Sequence, residues 1–136
     1  MRAFEIVLPT IRVKENQSNM SNPARSITVF GVYLALTGLS FVFVPNLVLP
    51  LFGFPTTTEV WIRVVGLLTA ILSLYFLYSV RHADKRFFRA TVPARLLFFA
   101  GVTSLAILDL GSPLLIAFGL VDLAGAAWTW LALRAT

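Results

Sequence analysis

Residues 59–81 read EVWIRVVGLLTAILSLYFLYSVR, an apolar run with few interruptions. As a helix, its core of about 20 residues matches the ~30 Å hydrocarbon thickness of a bilayer. Trp61 stands near one end and Tyr75 and Tyr78 near the other, which is typical of the two membrane interfaces. The run therefore predicts a membrane-spanning helix.

The composition of the whole chain agrees with a membrane protein. Hydrophobic residues make up 58% of the 136 positions, charged residues make up 12%, and the mean hydropathy is +0.86. The chain has no cysteine, and His82 is its one histidine. These counts argue against thiolate or histidine-rich metal sites and against a Ser-His-Asp triad. We therefore expect a protein that is not an enzyme and has no cofactor or metal.

Three further apolar runs complete a predicted all-α, integral membrane four-helix bundle. Pro45 ends the first run, because a proline disfavours helix in the residue before it. Thr58 is a candidate N-cap of the second run, and Pro93 fits the first turn of the third. Ser112 as N-cap and Pro113 as first residue are expected to open the fourth. The predicted spans are residues 27–44, 59–80, 92–110 and 113–133.

The N-terminal residues have a different character from the spans. Residues 1–25 mix polar, charged and scattered apolar residues without a sustained period, so we predict a mobile tail. Met20 stands a few residues before the first span, and we expect it to be the true start, with residues 1–19 as an upstream extension. Residues 26–136 form the predicted transmembrane domain.

The basic residues lie on one side of the predicted bundle. Nine of the 11 Lys and Arg residues belong to the tail, to the Arg81–Ala90 loop or to the C-terminus, and the other two connections carry none. By the positive-inside rule, both termini face the cytoplasm. The net charge of +5 then indicates anionic lipid headgroups as partners, not nucleic acid. We expect a multi-pass protein of the cell inner membrane.

The connection between the first two spans carries no charged residue from position 45 to position 58. Such an apolar segment is poorly suited to stand in water. We therefore expect it to lie back on the bundle or on the headgroup region, with one short helical turn.

Small residues form one face of the first span. Gly31, Ala35 and Gly38 are four and then three residues apart, so they share a side of the helix. Such a face lets another helix approach closely in lipid. We favour packing within the same chain, and leave open a homo-oligomer or a larger membrane complex.

Several ionisable residues fall within the spans or at their ends. Such residues cost roughly 2.5–3.5 kcal/mol each at the centre of a membrane helix, so partners are expected. We predict that Arg63 is paired with Glu59, Asp109 or Asp122 in a polar cluster near the outer face. Asp122 shares a face with small residues and should point inward. Arg95 has no acidic partner at its predicted depth and is expected to snorkel toward the headgroups.

Three segments together resemble a known group of proteins. They are Val44-Pro45-Asn46, the EVWIRVVG segment at residues 59–66 and the VDLAGA segment at residues 121–126. The combination is similar to small four-helix bacterial inner-membrane proteins of the DoxX-like group, and the likeness extends over about residues 26–134. The resemblance implies the fold and a bacterial origin, and it implies no mechanism.

Two functions follow as hypotheses. The first is an accessory or scaffold component that acts through helix packing, as the small-residue faces suggest. The alternative is a carrier or binder of a small molecule, lipid, quinone or proton at the cluster of Glu59, Arg63, Asp109 and Asp122. A membrane-bound enzyme has no motif in its favour.

Overall fold

The computed structural model describes residues 21–135, and all its regular elements there are helices. Four of these helices are long and apolar enough to cross a membrane, which confirms the predicted all-α class and the predicted number of such helices. A short α-helix lies between the first two of these long helices and is followed directly by a 3-10 helix, Leu49–Phe52. The α-helices are α1 Asn22–Phe43, α2 Pro45–Val48, α3 Trp61–Arg81, α4 Lys85–Ile107 and α5 Leu115–Ala135.

Many large apolar side chains face outward, whereas small residues and a core that includes Ile27 and Phe88 occupy the interior. Leu36, Leu68 and Leu97 are 64%, 62% and 74% exposed, whereas Ala126 and Thr129 are 1% and 0% exposed. Lipid tails are as apolar as leucine, so helices in a bilayer are held by close packing and internal hydrogen bonds rather than by hiding leucines. This sorting is that of a bundle surrounded by lipid.

Helices α1 and α3 pack together through facing glycines. A Cβ atom on Gly38 would lie 2.5 Å from the backbone nitrogen of Ala70, and one on Gly66 would lie 2.7 Å from the Gly38 carbonyl oxygen. Gly31 of α1 packs against the Leu77 side chain of α3. The predicted packing of the Gly31 face within the chain is confirmed.

The bundle consists of two helix pairs joined along one seam. Helix α1 packs on α3, α4 packs on α5, and α1 also packs on α5. Helices α3 and α4 follow each other in sequence but hardly touch. The side of the bundle between α3 and α4 is therefore open.

Two helix starts near the N-terminal half differ from the predictions. Helix α1 begins at Asn22, because the Ser21 side chain accepts a hydrogen bond from the Ala24 N–H, so the end of the predicted tail is helical. The predicted tail and start before Ser21 lie outside the described residues. Helix α3 begins at Trp61 rather than after Thr58, and its N-cap residue, Val60, makes no side-chain cap.

Helix α4 begins seven residues earlier than predicted. The Asp84 carboxylate accepts hydrogen bonds from the N–H groups of Arg86 and Phe87 and so caps a helix from Lys85. Most of the predicted charged loop is thus the first part of α4, and Pro93 lies inside the helix instead of in its first turn.

Helix α5 begins two residues later than predicted. Ser112 accepts a hydrogen bond from the Leu114 N–H, but a short turn precedes the helix, which starts at Leu115. Pro113 therefore belongs to this turn and not to the helix.

The connection from α1 to α3 folds over one end of the bundle. The Asn46 side chain accepts from the Thr57 N–H and donates to the Thr57 carbonyl, which closes the loop. Gly53 turns the chain at a φ of 77°, a conformation that favours glycine. Phe52 stacks on Phe118 of α5 with ring centroids 4.0 Å apart. The expectation that this segment lies back on the bundle with a helical turn is confirmed.

Candidate functional site

The structure does not assemble the polar cluster predicted from the sequence. Glu59, Arg63 and Asp109 are exposed, whereas Asp122 is buried at 7% exposure. No hydrogen bond or ion pair joins any two of these four residues, all of which lie in the described chain. Of the four, only Asp122 points inward as predicted.

Arg63 has a different partner from those expected. Its Nη1 atom donates to the carbonyl oxygen of Val42, in the last turn of α1. The carbonyls of a last helical turn lack partners within the helix and carry its negative dipole end, so they attract a cation. Arg63 is thereby held at the helix end and not within the bundle.

Arg95 lies inside the bundle, so the prediction that it snorkels is wrong. Its side chain is only 2% exposed. The guanidinium carbon is 3.7 Å from the ring centroid of Phe30 and 5.7 Å from that of Phe76. Aromatic faces attract cations, and this attraction is stronger away from water. The two rings offset part of the cost of burying this charge.

A chain of hydrogen bonds fixes one edge of the Arg95 guanidinium. Its Nη1 atom donates to Thr129 Oγ1 at 2.9 Å, and Thr129 Oγ1 lies 2.8 Å from Ser26 Oγ. Ser26 Oγ in turn donates to the Pro23 carbonyl at 2.7 Å. These bonds connect α4, α5 and α1, so they set the position of Arg95 relative to two other helices.

Gly125 provides the space that Arg95 occupies against α5. A Cβ atom at this position would lie 3.0 Å from Nη2 and 3.3 Å from the guanidinium carbon of Arg95. Asp122, almost one turn along α5, is the acidic residue that acts electrostatically on Arg95. One face of α5 therefore presents a hydroxyl, a gap and a carboxylate to the same guanidinium.

The second edge of the Arg95 guanidinium is unpaired. Nε and Nη2 are both buried and have no hydrogen-bond partner, so neither donates to Asp122. In the planar guanidinium, the N–H groups of Nε and Nη2 point to the same side and can bind one acceptor group together. The Asp122 carboxylate also receives no hydrogen bond within the described chain, but its oxygens are not fully enclosed as the two Arg95 nitrogens are. Buried polar groups without partners are rare and call for an explanation.

Arg95 and Asp122 both line a cavity of about 950 Å³ on the open side of the bundle. Its walls are α3 and α4, and its floor is formed by α1 and α5. Apolar and aromatic side chains make up most of the surface. The polar residues among its lining are Tyr33, Thr37, Thr69, Thr91, Arg95 and Asp122.

The cavity is elongated along the helices. Its α4 lining runs from Phe87 to Leu105, about 27 Å of helix. Near the α3–α4 turn, the rings of Phe76 and Phe87 meet edge to face at 5.3 Å and narrow that end. At the other end, the α1–α3 connection contributes Phe52 and Phe54. The charged pair lies between these two apolar ends.

Arg95 was not predicted as a buried site residue because the predicted start of α4 lies too far along the chain. A helix from residue 92 puts Arg95 at the membrane boundary, whereas a helix from Lys85 puts it about 15 Å inside the helix. The N-cap at Asp84 was the available indication. On α5, the spacing of Asp122, Gly125 and Thr129 on one face was a second indication.

The described residues contain no group of three or more His, Cys, Asp or Glu side chains that could hold a metal ion. No protein-family model, curated protein or solved structure matches the chain. The DoxX-like resemblance therefore stays a prediction from the sequence.

Proposed function

We propose that this membrane protein binds a hydrophobic or amphipathic small molecule in the cavity between α3 and α4. The observation that carries the proposal is the unpaired Nε and Nη2 edge of the buried Arg95 in a large, mostly apolar cavity. Leaving buried donors without partners costs about 1–3 kcal/mol, and more when they are charged. A ligand that accepts hydrogen bonds there would recover this free energy. The proposed function is binding, and it involves no catalytic step.

The cavity has the properties of a small-molecule site. Such sites commonly measure about 300–1,000 Å³ and combine apolar walls with a few polar groups that orient the ligand. Here Arg95 and Asp122 would orient a polar head, and the aromatic residues at both ends would contact apolar parts. Because α3 and α4 hardly touch, the ligand could enter sideways from the lipid.

We also propose an orientation and a location for the protein. Both termini and the α3–α4 turn face the cytoplasm of a bacterial inner membrane, with the α1–α3 connection outside. The excess of Lys and Arg at the termini and from Arg81 to Arg89 supports this orientation. The resemblance described above supports the bacterial location.

An accessory or scaffold role is the second candidate function. The open side between α3 and α4 favours it too, because a helix of another protein could lie there. In that case a protein partner, and not a small molecule, would cover Arg95 and Asp122. Helix packing of this kind would use the exposed apolar residues of α3 and α4.

The experiment compares what the protein retains after purification in mild detergent. Native mass spectrometry of the intact chain should detect a bound small molecule. Ala94 lines the cavity, so the larger side chain of Ala94→Phe should occupy part of its volume and abolish the bound mass. Ala100→Phe adds the same ring at an exposed position of α4 outside the cavity lining and should leave the bound mass unchanged. A stoichiometric protein partner without a small molecule would instead support the scaffold role.

A further inference from the structure

We infer that the ligand of this cavity has an uncharged polar head that carries both a hydrogen-bond acceptor and a hydroxyl donor, as a monoacylglycerol does. The inference rests on the proposed binding function and specifies its ligand class. It follows from the hydrogen-bonding needs of Arg95 and Asp122, from their charges and from the shape of the cavity around them.

The acceptor is required by Arg95. Thr129 satisfies Nη1, while Nε and Nη2 remain without partners at 2% exposure of the side chain. A guanidinium has only donors, so the missing partner must be an acceptor oxygen. An ester or other carbonyl oxygen supplies one, and so does a hydroxyl oxygen.

The donor is required by Asp122. No hydrogen-bond donor from the described residues reaches its carboxylate, although the residue is only 7% exposed. An ionised carboxylate accepts hydrogen bonds and donates none. Gly125, which contacts the Arg95 guanidinium, lies less than one helical turn from Asp122 on α5. A ligand with a hydroxyl next to the acceptor oxygen would therefore satisfy Asp122 and Arg95 together.

The head must be uncharged because the site is already neutral. Arginine stays cationic in proteins, and the Asp122 carboxylate balances its charge. The other acidic residues of the described chain, Glu59, Asp84 and Asp109, are exposed. A carboxylate or phosphate head would therefore place a second negative charge beside Asp122 in a poorly solvated cavity.

The cavity also favours a single long apolar tail. From the level of Arg95, the α4 lining continues through Phe98 and Val102 to Leu105, about 15 Å of apolar wall. The Phe52 and Phe54 rings lie at this end. A head at Arg95 with a tail along this wall would contact both the polar residues and the apolar wall of the cavity.

The test measures binding of three matched oleyl probes to the purified full-length chain in one detergent. Monoolein has an acceptor and hydroxyl donors, methyl oleate has the acceptor alone, and oleate has an anionic head. Affinity is measured by titration with native mass spectrometry and by the shift in unfolding temperature. Monoolein should bind at least about tenfold more tightly than either of the other two.

Asp122→Asn gives the matched charge variant. It keeps the shape of the side chain but removes the negative charge, so oleate should then bind at least about tenfold more tightly than it binds the original chain. Arg89→Gln, an exposed change on α4, should leave all three affinities unchanged.

The outcomes separate this inference from the proposed function. If oleate or methyl oleate binds the original chain as tightly as monoolein, and Ala94→Phe abolishes binding, the cavity binds ligands but the uncharged, donor-bearing head is wrong. If no probe binds, or if Ala94→Phe changes nothing, the binding function itself is wrong. A preference for monoolein over both other probes in the original chain, together with a preference over oleate that disappears in Asp122→Asn, supports both.

Discussion

Arg95 shows at the scale of one residue how a membrane bundle can bury a cation. It combines an aromatic face, a hydroxyl acceptor and a nearby carboxylate, from Phe30, Thr129 and Asp122. Phe30 lies on α1, whereas Thr129 and Asp122 both lie on α5. None of these groups satisfies Nε or Nη2. The residue is thus well positioned but incompletely paired, which is the condition that a ligand can relieve.

Thr129 should contribute to stability through its hydroxyl. Thr129→Val keeps the shape but removes the acceptor of Arg95 and the partner of Ser26, so we expect a loss of about 1–3 kcal/mol. Thr103→Val is the control, because the Thr103 hydroxyl is buried without a partner. That change should be neutral or stabilising. Unfolding in mixed micelles measures both, and equal losses would contradict the hydrogen-bond chain.

Gly125 should be needed for the position of Arg95. Gly125→Ala puts a methyl group 3.0 Å from Nη2, so the guanidinium must shift and we expect a loss of about 1–3 kcal/mol. Gly101→Ala meets nothing within 4 Å and should stabilise α4 by up to about 1 kcal/mol. The comparison uses the same unfolding measurement, and a stabilising Gly125→Ala would contradict the close approach.

At the scale of elements, the two helix pairs differ in how they meet. Helices α1 and α3 approach until backbone touches backbone at Gly38 and Gly66, so their distance is fixed by atoms that cannot rotate away. Helices α3 and α4 are joined by a short turn in which Ala83 has a φ of 48°, yet they hardly pack. The tight pair holds one wall of the cavity in place while the other side stays open.

The α1–α3 contact should therefore be sensitive to a single methyl group. Gly38→Ala places Cβ 2.5 Å from a backbone nitrogen, so the helices must move apart, and we expect a loss of at least about 2 kcal/mol. Gly31→Ala meets the flexible end of Leu77 at 3.0 Å and should cost less. Unfolding of the two variants in the same detergent checks this order, and a reversed order would refute the backbone contact.

At the scale of the whole molecule, four apolar helices surround a mostly apolar interior that contains Arg95 and Asp122, and the side between α3 and α4 is open. The charged residues at the ends of the spans are exposed, as Arg81 and Asp109 show, whereas Arg95 and Asp122 are inside. Charge is thus placed either near the exposed ends of the long helices or at the cavity. This arrangement is expected when each charge in the hydrocarbon region needs a partner.

The proposed orientation can be tested with reporter fusions. Fusions after Ala83, in the α3–α4 turn, and after the last residue should both report the cytoplasm, because the basic residues lie on that side. A fusion after Thr56, in the α1–α3 connection, should report the outside. A cytoplasmic signal after Thr56 or an external signal after Ala83 would contradict the proposed orientation.

The sequence by itself predicted an all-α chain with four helices of membrane-spanning length, and it indicated the packing face of Gly31 and Gly38. These features depend on local properties, namely the length of apolar runs and the spacing of small residues along one helix. Only the tertiary structure decided which charges meet. In the sequence, Arg63 and Arg95 both look like charges near a span end. Arg95 is the buried one because α4 begins at Lys85 and because Gly125 of α5 leaves space for its guanidinium. The physical reason is that a few residues of shift change the depth and the direction of a side chain, whereas they barely change the hydropathy of a span.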